Sequence, residues 1–215
     1  MKIISLSYEE AGYACSIASS IKRKYKNITQ FFDYLVVDMK TINEILLLKN
    51  INLITNNFEI NNIKNHNYKS VKWNNFNKLI SYHDLESNYN LNQLENFKNK
   101  YTRRFFRLIN DIYSEKIIFF IRYGKTPLNE IIQFNENIKK LNDKLIFYFI
   151  NVDYDENLKN NITYKGINNY IYINFYNINE NEKKNYNDDL YFRILEYNWD
   201  FVFNLIETNN KYYSK

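Results

Sequence analysis

The chain has 215 residues, with 29 Lys and Arg against 24 Asp and Glu for a formal net charge of +5, and it is 45% apolar and 18% aromatic. That length suits one domain with a core large enough to need no disulfide or metal staple, and the apolar content excludes an intrinsically disordered chain. One cysteine excludes an internal disulfide, and two histidines beside it are too few for a structural zinc site of the Cys/His kind.

The N-terminus lacks a basic region followed by an apolar core, and no apolar run reaches the roughly 18–20 residues of a membrane span. No membrane partner is therefore expected, and a cytoplasmic location is. The positive charge is spread, its longest block being Lys22-Arg23-Lys24, and no recognisable motif accompanies it, so no specific nucleic-acid partner is expected either. The preference for Asn, Lys, Ile and Tyr over Pro and Gly follows from AT-rich coding, so the polar tracts 61–69 and 177–189 read as loops.

In chain order, Lys2–Leu6 is a short buried strand, and Glu9 to Lys26 reads as a helix with Ala14, Ile17, Ala18, Ile21 and Tyr25 on one stripe. Phe31-Phe32-Asp33-Tyr34 leads into the apolar Leu35-Val36-Val37, and 39–49 has helical periodicity. Ile51–Ile54 and Tyr68–Trp73 are weak strands around an Asn-rich loop. Leu79–Tyr82 is another short strand, which His83-Asp84 terminates.

Leu91 to Ser114 is the clearest helix. Asn90 and Gln93 stand at capping-box spacing, and Leu91, Leu94, Phe97, Tyr101, Phe105, Leu108 and Ile112 form one apolar stripe. Arg103, Arg104 and Arg107 lie off that stripe. Ile117–Ile121 is apolar at every position, as strands buried on both faces are. Gly124–Pro127 then turns into a helix at Leu128–Leu141. Leu145–Val152 repeats the buried-strand pattern, broken only by Asn151; Tyr170–Phe175 is a further strand and 188–208 a closing helix. Strands alternating with helices predict a single three-layer, Rossmann-like α/β domain over 1–215, its largely parallel sheet flanked by helices.

Three stretches in order carry a family resemblance. The first is Ile4-Ser5-Leu6 followed by Gly12-Tyr13-Ala14-Cys15-Ser16-Ile17-Ala18 and Ile21. The second is Phe32-Asp33-Tyr34. The third runs Tyr82-His83-Asp84, then Tyr101 to Arg107, then Ile118 to Arg122. Over residues 2–152 this set resembles a papain-like cysteine peptidase family, a domain of unknown function found in large DNA viruses and bacteria. Ser7–Ala11 separates the strand from Gly12 where the family has no insertion, and Phe31 stands at the family's proline. The resemblance implies a cysteine peptidase or hydrolase acting on a peptide or acyl substrate, in a host-cell cytoplasm or virion, and a papain-like α+β fold as the alternative architecture.

Read as chemistry, Cys15 is the candidate nucleophile, since a thiol near a helix N-terminus has its thiolate favoured; a lone cysteine is otherwise a small buried hydrophobe. His83 is the candidate base, with His66 in a loop and uninvolved. Asp33 or Asp84 would orient the imidazole. Successive strand residues point to opposite faces, so a strand running through His83 and Asp84 favours Asp33. Arg103, Arg104, Arg107 and Arg122 stand out in a lysine-rich chain, because arginine supplies planar bidentate pairing that lysine does not. They are candidates for binding an anionic small-molecule substrate, or for internal ion pairs with Asp111 or Glu115. No Gly-rich phosphate loop accompanies them, and no cofactor is expected. A glycosyltransferase-like or anion-binding domain is thus the second reading, and a non-catalytic viral structural or interaction protein the third.

Overall fold

The computed structural model describes residues 1–8, 14–26, 29–64, 67–124, 126–155, 163–167, 169–176 and 199–208. In chain order its elements are β1 (Lys2–Tyr8), α1 (Ala14–Tyr25), β2 (Leu35–Val37), α2 (Met39–Leu46), α3 (Asn52–Thr55), β3 (Phe58–Asn62), β4 (Tyr68–Trp73), β5 (Leu79–Glu86) and α4 (Leu91–Ser114). There follow β6 (Ile117–Tyr123), α5 (Leu128–Leu141), β7 (Ile146–Asp155), β8 (Thr163–Ile167) and β9 (Tyr170–Tyr176), and then the helical residues 199–208, called α6 here. Gly12, His66, the 177–189 tract and the first part of the expected closing helix lie outside the described residues, as does the side chain of Cys15.

The described strands form one sheet in the order β3-β4-β5-β2-β1-β6-β7-β9-β8. β1, β6, β7 and β9 make a parallel block, and β2 joins β1 in parallel where Tyr8 meets Val36. β5, β4 and β3 extend the β2 side antiparallel, and β8 closes the other side antiparallel. The architecture is mixed α/β, as expected, but three of its strands, β3, β5 and β8, run against the parallel direction.

The parallel strands are apolar on both faces because helices cover both. Ile118 and Phe120 point into one core with Ile42 and Ile45 of α2, Phe97 and Tyr101 of α4, and Ile131 and Phe134 of α5. Phe119 and Ile121 point into the other, with Ile17 and Ile21 of α1 and Val202, Phe203 and Ile206 of α6. Each such buried side chain contributes roughly 1.5–3 kcal/mol of transfer free energy, which is why an unbroken apolar strand forms here rather than an alternating one. Edge-on aromatic pairs fill the first core, among them Phe120–Phe134 at 5.0 Å and Phe134–Phe149 at 5.2 Å between ring centroids.

Several expectations are corrected. Ile51–Ile54 is not a strand but supplies the turn of α3. Just ahead of it Asn50 Oδ1 accepts from Asn52 N at 3.0 Å, and the Trp73 indole donates to Ile54 O at 2.6 Å. β5 does not stop at His83-Asp84. It runs on to Glu86 because β4 pairs with it as far as Tyr68↔Glu86. β3 and β8 form where no strand was expected, each held by one antiparallel neighbour. On α4 the capping box forms in both directions between Asn90 and Gln93. Leu91, however, is 83% exposed at the helix entrance, while Arg104, expected outside the stripe, is buried.

Candidate functional site

The chain leaves β1 toward β2 on one side and later continues from β6 toward β7 and β9 on the other. The order therefore reverses between the neighbours β1 and β6. The region outside the carboxyl ends of such a pair is the usual ligand position in open α/β sheets.

At that end β1 is irregular. Its register with β6 shifts between Ser5 and Tyr8, Ser7 sits at φ 52°, Ser5 Oγ accepts from Ser7 N at 3.0 Å, and the Ser7 hydroxyl donates to Leu35 O. A serine in the left-handed region costs about 1 kcal/mol, here offset by two hydrogen bonds that hold the bulge. Beside it Arg122 ends the apolar run of β6. Its guanidinium is fully buried, with Nη1 donating to Leu6 O at 3.1 Å and Nη2 to Val37 O at 3.0 Å. One side chain thus ties together the carboxyl ends of β6, β1 and β2, a task for a planar fork rather than a single ammonium.

Asn151 of β7 is the register partner of Arg122 and is also fully buried. The Thr126 hydroxyl donates to its Oδ1 at 2.6 Å; the alternative acceptor, Gly124 O, is 3.4 Å away. Thr126 reaches this position because the chain turns sharply at Gly124, whose φ of 96° suits glycine and whose N–H bonds Val152 O at 2.8 Å. With Oδ1 engaged, Asn151 Nδ2 is a buried donor that no acceptor among the described residues satisfies. Leaving such a group unmatched costs about 1–3 kcal/mol. Sequence reading did not select Asn151 as a site residue, although its interruption of an apolar strand was the available signal.

The candidate acid–base residues lie elsewhere. β5 is antiparallel to β2, with Val37 opposite Leu79 and Leu35 opposite Ser81, so His83 lies past the amino end of β2. There it is exposed and meets the Tyr68 ring edge-on at 6.0 Å. Cys15 is the second residue of α1, which starts beyond the carboxyl end of β1 and runs back until Ile21 and Lys22 stand over Ile3 and Ser5. At 1.5 Å per residue its backbone lies roughly 9 Å nearer the carboxyl end than Ile21, and β1 is two strand spacings, about 10 Å, from β5. The fold does not bring His83 toward Cys15.

Asp84 lies between Ser81 and Leu85, where β5 shifts register against β4, and its side chain turns to α4. It accepts from the Ser81 and Tyr101 hydroxyls, both at 2.5 Å, and pairs with the Lys100 ammonium. Burial pushes its carboxyl up, but Lys100 and the hydroxyl donors outweigh this and hold it below the usual carboxylate range. The same burial and the Asp84 charge push the Tyr101 phenol well above its ordinary value. Asp84 is a staple between β5 and α4, with no contact to His83 among those described.

Asp33 lies at the amino end of the sheet, in the segment that passes between α1 and α4. It is 6% exposed and accepts from Gln30 N at 2.7 Å. Burial pushes its pKa up to about 6, against the lowering influence of that N–H and of Arg104 and Arg107. Arg107 donates to Thr29 O at 2.6 Å, and Arg104 lies over the Tyr101 ring at 5.6 Å. Arg103 is exposed. The four arginines do not converge: Arg104 and Arg107 serve the Asp33 segment, Arg122 serves the other end of the sheet, and Arg103 faces solvent.

Among the described residues no three His, Cys, Asp or Glu side chains assemble as metal ligands, and no helix is long and apolar enough to cross a membrane. The chain matches no protein-family model, no curated protein and no solved structure.

Proposed function

We propose that this chain is a Rossmann-like α/β domain that binds an anionic small molecule outside the carboxyl ends of β1, β6 and β7. The observation that carries the reading is the buried Asn151 Nδ2, a donor awaiting an acceptor, one strand from the buried charge of Arg122 and next to the order reversal of the sheet. α5 adds to it, because it starts at Pro127 beside this turn with no side-chain cap on its first N–H groups. Arg122 contributes positive potential and a rigid floor while its guanidinium holds Leu6 O and Val37 O.

A thermal-shift screen with inorganic phosphate, nucleotides and sugar nucleotides tests this. At least one is expected to raise the melting temperature of the native chain. Asn151→Leu is expected to weaken that ligand about tenfold or more while changing the stability of the free protein little, since relief of the unmatched Nδ2 offsets loss of the acceptor for the Thr126 hydroxyl. An unshifted melting temperature across the panel, or equal shifts in both proteins, would remove the reading.

A second reading, a cysteine-dependent hydrolase or acyl-transfer enzyme, rests on Cys15 in the first turn of α1, where the helix dipole favours a thiolate. It requires a base other than His83. Iodoacetamide is expected to label Cys15 at pH 7 faster than it labels free cysteine; labelling only after denaturation would exclude it.

A further inference from the structure

At the other end of the sheet, α1 and the 29–34 segment enclose a cavity of about 10 Å³, the room of one water molecule. Ser5, Ala18, Ile21, Lys22, Gln30 and Asp33 line it. The Gln30 amide is 2% exposed, and its orientation is set from outside the cavity. Nε2 donates to Asp111 Oδ2 at 3.2 Å, and Asp111, paired with Lys2 at 3.2 Å, can only accept. Gln30 Oε1 is therefore turned away from Asp111, and no donor among the described residues reaches it. Asp33 spends one carboxylate oxygen on Gln30 N and brings further acceptor capacity to the same wall.

We propose that this cavity is a built site for one hydrogen-bond donor of water size, bridging Gln30 Oε1 and the Asp33 carboxyl group beneath α1. Water and ammonium share the required donors. The charges around the site are Lys22 from α1, Lys2 from β1, and Arg104, Arg107 and Asp111 from α4, besides Asp33 itself. Cations outnumber carboxylates there, so the occupant is the neutral molecule. Its role is to complete the hydrogen bonds of a segment that otherwise seats a polar wall against an apolar helix face.

Ala18 gives a test by sign. Ala18→Val and Ala18→Thr match in shape and are close in helix propensity, so they differ chiefly in whether one added atom can donate. The threonine hydroxyl can replace the occupant at Gln30 Oε1; the valine methyl expels it and leaves the acceptor unmatched. The valine variant is expected to melt several degrees below the threonine variant, roughly 2–4 °C for each kcal/mol lost in a chain of this size. A valine variant equal to or more stable than threonine would mean the cavity is dry, and would overturn the proposal. A high-resolution crystal structure of the native chain should show one density peak within hydrogen-bond distance of both Gln30 Oε1 and Asp33, unchanged by growth with or without ammonium salts. An empty cavity, the Lys22 ammonium at Gln30 Oε1, or a peak seen only with ammonium would each refute the water site.

Discussion

Arg122→Met is expected to destabilise the protein by roughly 3–5 kcal/mol, because it removes two charge-assisted hydrogen bonds and leaves Leu6 O and Val37 O without that donor at the strand ends. For a chain of this length that is a fall of about 10 °C or more in melting temperature. Arg122→Lys should fall between the two, since one ammonium on a flexible stem cannot serve two carbonyls on different strands as a planar fork does. Urea denaturation of the three proteins measures the series. A methionine variant within about 0.5 kcal/mol of the native chain, the ordinary range for a surface substitution, would show that Arg122 does not tie the sheet together.

Asp33→Asn is expected to act in the opposite direction at neutral pH. Burial raises the folded-state pKa of Asp33 to about 6, whereas an unfolded aspartate titrates near 3.9. The folded chain therefore holds this proton more tightly than the unfolded chain. The stability it contributes is fully present below about pH 4, is lost as pH rises toward about 6, and changes no further above that. Ionised Asp33 costs the native protein on the order of 2–3 kcal/mol at pH 7. Asparagine retains an acceptor for Gln30 N, carries no charge and does not titrate. Denaturation at pH 4, 5, 6 and 7 should show the native chain losing stability across that interval relative to the variant, with the variant ahead by roughly 2 kcal/mol at pH 7. Parallel curves for the two proteins would mean that Asp33 titrates normally. The same carboxyl lines the cavity at the foot of α1.

The sequence foretells each of the two sites only in part. Arg122 is visible as the charge that ends an apolar run, and Asp33 as a carboxylate among three aromatics, so both stand out in one dimension. Their partners do not. Arg122 bonds carbonyls 116 and 85 residues away, and Gln30 reaches Asp111 across 81 residues. An anionic site formed by four arginines was a reasonable expectation from their rarity. The helical phase of α4 instead turns Arg103 outward and Arg104 inward, and β6 carries Arg122 to the opposite end of the sheet.

By itself the sequence determined the local chemistry of this protein. The capping box of α4, the apolar runs of β6 and β7, and the helix–strand alternation after residue 116 are local patterns, because backbone hydrogen bonding and side-chain periodicity act over a few residues. Tertiary structure decided strand order, the antiparallel additions β3, β4, β5 and β8, and the side-chain constellations. β5 shows why. His83 and Asp84 are adjacent in sequence, yet the register shift of β5 against β4 and its antiparallel pairing with β2 leave one in solvent and take the other to Lys100 and Tyr101, with both remote from the start of α1. Which residues meet depends on strand direction and register, and those are set by contacts between segments far apart in the chain.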